Sequence, residues 1–139
     1  MLFPVLALAM ACSNSTEPLR LGNLSFEGRS TVLPTLPMYV RTVVTVRNIG
    51  DKATRINTNV CGQPVRAFTT PFRTGMWAWQ AYDPALVLCA ASDMGVTLAP
   101  GDYYDIVATG TIAASLPSGV YYLALTTNGK LVPAGQFTK

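Results

Sequence analysis

The sequence predicts an all-β chain: one antiparallel β-sandwich of about seven to nine strands behind a short apolar N-terminal segment. Three observations lead there. From Leu19 onward no stretch repeats apolar residues at helical spacing, short runs rich in β-branched and aromatic residues recur instead, and Gly, Pro, Asn and Asp stand between the runs. With 139 residues, the chain can bury the core of a single domain of ordinary size. The expected divisions are an apolar segment over 1–11, a polar tether over 12–20 and the sandwich over 21–139.

Taken in order, the expected strands are Leu21 to Gly28, Tyr39 to Asn48, Ala53 to Thr58, Val65 to Phe68, Met76 to Tyr82, Gly95 to Leu98, Tyr103 to Ile112 and Val120 to Thr127, with a last short one near Leu131 and Val132. Within YVRTVVTVRN, period-two alternation places Thr42, Val44 and Val46 on a core face and Arg41, Val43, Thr45 and Arg47 on the other. Asn48-Ile49-Gly50-Asp51 has the residues for a tight hairpin turn into the next strand, and Asn128-Gly129 is the strongest short hairpin signal in the chain. Strands of this number and spacing describe a sandwich of immunoglobulin-like type.

Ahead of the sandwich, MLFPVLALAMA (Met1 to Ala11) has the length of a signal-peptide core and falls short of the roughly 20 residues that span a bilayer. Small residues before a cysteine resemble a bacterial lipoprotein signal, which implies lipidation at Cys12. Two other readings stay open. Ala9-Met10-Ala11 also satisfies the rule for ordinary signal cleavage, and an uncleaved segment would act as an anchor in a membrane or a larger complex. With Cys12 set aside, Cys61 and Cys89 form an even pair in an exported chain, and a disulfide between them would contribute about 3–4 kcal/mol. The alternative is two buried thiols.

Composition narrows the chemistry. The formal charge of +3 is scattered, with 12% charged residues and no basic run, so nucleic acid is not an expected partner. No histidine is present, which removes the Ser-His-Asp and Cys-His arrangements and every His-containing metal site. Asp102 and Asp105 are three apart, on opposite faces of a strand, and Asp83 and Asp93 would meet only through loop geometry. No Walker-type phosphate loop, CxxC pair or calcium-loop spacing occurs. The expectation is a protein without catalytic residues, cofactor or metal.

Candidate interaction residues fall in two places. FRTGMWAWQAY (Phe72 to Tyr82) is the most distinctive stretch: Trp77 and Trp79 share one side of a regular strand, with Phe72 and Arg73 just before them. Such a pair forms an interface anchor or a sugar-stacking platform, or else one or both indoles fill the core. Arg41, Arg47 and Arg55 share an exposed face if the strands around Asn48 to Asp51 pair as a hairpin, and that face would meet an acidic partner or anionic lipid. The loops Asn59 to Gln63 and Leu88 to Met94, joined by the disulfide, would form a rigid rim or a simple staple.

Several segments together resemble a known group. TVRNIGDKATRI, a Trp-bearing strand, LAPGDYYDI and LPSGVYYLAL are similar to the BsuPI-type intracellular proteinase-inhibitor domain and to related immunoglobulin-like domains of bacterial envelope lipoproteins. The resemblance covers about the C-terminal three quarters of the chain and implies the sandwich fold. It also implies protease inhibition as one activity. The leading expectation is a binding or structural module, exported to the periplasmic or cell-surface side of a bacterial membrane and held there by its N-terminus. Its partners would be proteins of a membrane or envelope complex, in which it is an accessory subunit; carbohydrate binding through Trp is a third reading.

Overall fold

The computed structural model describes residues 18–58, 65–81 and 95–139. The apolar segment, Cys12, the Cys61–Cys89 pair and Asp83 and Asp93 lie outside the described residues. Among the described residues, ten antiparallel strands form: β1 (Leu19–Leu21), β2 (Leu24–Leu33), β3 (Tyr39–Asn48), β4 (Thr54–Asn57), β5 (Val65–Phe68), β6 (Trp79–Ala81), β7 (Gly95–Leu98), β8 (Tyr103–Thr111), β9 (Val120–Thr127) and β10 (Lys130–Thr138). They make one sheet of order β1-β2-β3-β8, a second of order β10-β9-β5-β6, and a β4-β7 ribbon. The order β2-β3-β8 facing β10-β9-β5 is that of strands A, B, E and G, F, C of an immunoglobulin-like sandwich. A further mark of that fold is Tyr121, near the start of β9, whose hydroxyl donates to Pro117 O at 2.6 Å.

The core follows from alternation. Val40, Thr42, Val44 and Val46 of β3 face inward, with Phe26 of β2 and Ile106 and Ala108 of β8 on the same layer. Opposite them stand Val65, Ala67, Leu123, Leu125, Val132 and Ala134. Phe137 joins two aromatic neighbours, stacked on Tyr121 at 5.3 Å and edge-on to Trp79 at 6.3 Å. The nine expected strands are all present, though several differ in extent. β2 runs on to Leu33, β6 starts only at Trp79, and the short last strand is a nine-residue β10. The tenth strand is β1, which starts the first sheet at Leu19, two residues before the expected domain boundary.

One correction concerns how the strands connect. Asn48 to Asp51 is no hairpin: none of these residues takes a positive φ, and β3 pairs with β2 and β8 while β4 pairs with β7. The reason is Asn48, whose side chain is fully buried and committed elsewhere. Its Nδ2 donates to Lys52 O at 2.7 Å and to Leu98 O at 2.9 Å, while its Oδ1 accepts from Gly50 N at 2.9 Å. Tied in this way, the chain crosses to the β4-β7 ribbon instead of folding back. The Asn128-Gly129 turn forms as expected, with φ values of 49° and 68° and Thr127 paired with Lys130.

The two sheets touch most closely where β2 lies over β10. β10 carries one extra residue between Pro133 and Gln136, and Gly135 takes a φ of 95° there. The bulge resets the alternation, so that Val132 and Ala134 face inward before it and Phe137 after it. A Cβ on Gly28 would stand 2.3 Å from Pro133 O and 2.5 Å from Ala134 Cα. The Ser30 hydroxyl donates to Gln136 O across the same junction.

Gly28→Ala should therefore lower stability by about 1–3 kcal/mol in urea unfolding, because backbone rather than a movable side chain occupies the space. Asn48→Ala should cost about 3 kcal/mol in the same measurement, since Lys52 O and Leu98 O lose a buried donor.

Candidate functional site

β5 and β6 are joined by residues 69–78, the heart of the stretch that the sequence singles out. Pro71 occupies the second position of a turn closed by Arg73 N to Thr70 O at 3.1 Å, and Ala78 N returns the chain to the sheet by donating to Ala67 O at 2.8 Å. Between these points the chain is an excursion and not a strand. Arg73 has a φ of 52° and Gly75 one of 80°. This local reversal separates neighbours, with Arg73 turned onto the sheet and Phe72 left in solvent.

Arg73 anchors the excursion to the β10 bulge. With Ala134 and Gly135 both set against Leu123, the ladder between β9 and β10 is interrupted, and its carbonyls need other donors. Arg73 Nε donates to Leu123 O at 2.6 Å, Nη2 to Gly135 O at 3.0 Å and Nη1 to Pro71 O at 3.0 Å. The guanidinium also lies 5.8 Å from the Tyr122 ring. Burial lowers its pKa from the usual arginine value, and Tyr122 partly opposes the shift.

A second arginine holds the other end. Val65 and Ala67 face the core, so Arg66 and Phe68 project from the outer face of the second sheet. Phe68 is buried nonetheless, and its cross-strand partner is Tyr122, over which Arg73 lies. The excursion thus folds back across this outer face. Near its end, the Arg66 guanidinium stacks 4.2 Å from the Trp77 ring. Phe72 and Met76 remain 83% and 89% exposed, the most open apolar side chains of the segment.

The expected interaction residues separate accordingly. Trp79 does not share a face with Trp77: it opens β6 and is buried, 8% exposed, against Phe137, because the strand begins there and not at Met76. Trp77 stays 38% exposed and Phe72 is open to solvent, whereas Arg73 is spent on backbone carbonyls. Arg41 and Arg47 lie on the exposed face of β3, where Arg47 donates to Gly101 O at 3.0 Å and stacks on Tyr103. Arg55 does not join them, since β4 belongs to the separate ribbon and its guanidinium lies against Gly95. The sequence reading passed over Arg66 and Met76. The signal for Arg66 was its place between the inward residues of VRAF.

Arg73→Met should destabilise the protein by about 2–3 kcal/mol in thermal or urea unfolding, leaving the bulge carbonyls without charged donors. Phe72→Ser should stay within about 0.5 kcal/mol of the parent protein. The comparisons found no matching protein-family model and no matching curated protein.

Proposed function

We propose that this chain is a non-catalytic protein-binding module of the bacterial envelope, an accessory subunit of a membrane-associated complex, and that residues 69–78 are its docking segment. One observation carries the reading: Phe72 and Met76 stand in solvent on a segment fixed at one side by Arg73 and at the other by the Arg66–Trp77 stack. Exposed apolar side chains cost solubility unless something covers them. Their rigid mounting lowers the ordering entropy lost when a partner does so. The place at the envelope rests on the sequence from Met1 to Cys12, with its lipoprotein-like ending.

The carbohydrate reading is less favoured by the same geometry, because one face of the Trp77 ring is already occupied by Arg66. Protease inhibition rests on the family resemblance alone.

A photo-crosslinking residue at Met76 of the full chain, in native membranes, should give a discrete protein adduct that Phe72→Ser abolishes. The same residue at Arg41, on the outer face of the first sheet, should give none. An absent adduct at Met76, or the same adduct from both positions, would overturn the reading.

A further inference from the structure

The outer face of the second sheet also holds a charge that no described acidic residue pairs. The Arg66 guanidinium makes its stack on Trp77 but no hydrogen bond to any described residue, and its Nε is buried without a partner. A guanidinium has five N–H donors in a rigid plane, and the edge formed by its two Nη groups matches the two oxygens of a carboxylate. Arg73, by contrast, has its donors on three carbonyls.

Charge is also divided between the sheets. Arg66, Arg73 and Lys130 belong to the strands and excursion of the second sheet, where no described residue is acidic. The described acids are Glu27 of β2, Asp105 of β8, Asp102 in the turn before β8 and Asp51 in the turn after β3. Asp105 is already an acceptor, taking the Thr45 hydroxyl at 2.6 Å. Among the described residues, Arg66 and Arg73 thus have no acidic counter-charge on their own sheet.

We propose that Arg66, held flat on Trp77, is the receptor for a carboxylate of the docked partner, so that the segment recognised at residues 69–78 is an acidic peptide with apolar neighbours. The inference rests on the docking reading and adds the chemistry of the ligand. Apolar side chains of the peptide cover Phe72 and Met76, and an Asp or Glu beside them accepts from Arg66 in a two-pronged pair. The stack fixes the guanidinium plane before binding, which favours arginine over lysine at this position.

The test uses the full chain and a phage-displayed library of random twelve-residue peptides. Enriched peptides should carry Asp or Glu next to apolar residues. A synthetic copy of one, followed by fluorescence anisotropy, should bind about tenfold more weakly to Arg66→Met, and replacing its acid by Gln should weaken it equally. The two changes together should add nothing further, the mark of a direct pair. Arg66→Lys, which keeps the charge and loses the fork, should also bind more weakly than the parent. Peptides that need Phe72 and Met76 but lack an acid, or an Arg66→Met loss that persists with the Gln peptide, would overturn the carboxylate receptor while leaving the docking segment. Enrichment of no peptide dependent on Phe72 would overturn both.

Discussion

One buried side chain decides how this sandwich is connected. Asn48 ends β3 with its main chain in the first sheet, donating to Asp102 O and accepting from Gly101 N, both at 2.9 Å. Its amide then reaches the carbonyls of Lys52 and Leu98 and takes the N–H of Gly50. The end of β3, the crossing to β4 and the turn between β7 and β8 are thereby tied to one residue. The next residue extends the joint to the β1–β2 turn, since Ile49 N donates to Asn23 O. An amide with donors and acceptor all satisfied can stand in a core where an unpaired one could not. Without it the connection has no reason to leave the first sheet, and the ribbon that completes the sandwich loses its entry.

Arg73 does the corresponding work at the bulge. There the structure departs from regular pairing, and the departure creates acceptors that a cation can hold. The exposed excursion is consequently a by-product of a repair: the arginine that closes the ladder also sets the direction in which Phe72 leaves the surface.

Most strand positions were legible because alternation and β-branched composition are local properties. VRAF, GVTL, YVRTVVTVRN and VYYLALTT match strands residue for residue. What was not legible depended on distant partners. A turn rich in Asn and Gly reads as a hairpin until the carbonyls of Lys52 and Leu98 are known to claim Asn48. The length of β10 was hidden because Gly135 breaks the alternation that would have revealed it. Of the two readings of the Trp pair, an indole in the core holds for Trp79 and the shared face does not form. A regular strand was assumed across Met76 to Tyr82, while the left-handed residues Arg73 and Gly75 mark a chain still outside the sheet. The face occupied by Arg66 followed from VRAF alone, but its stack on Trp77 followed only from the path of the excursion.

The pairing of strands far apart in sequence has a kinetic side. β3 waits for β8, some 60 residues on, and Ser30 meets Gln136 across 106 positions. Such closures give little until most of the chain is present, so topology of this kind belongs with slow, all-or-none folders. A chain emerging from a ribosome or a translocation channel would hold β2 and β3 as an unprotected pair until β10 arrives to lie on Gly28. Until then the apolar inner face stays open to other chains, and a folding helper would be most useful in that interval.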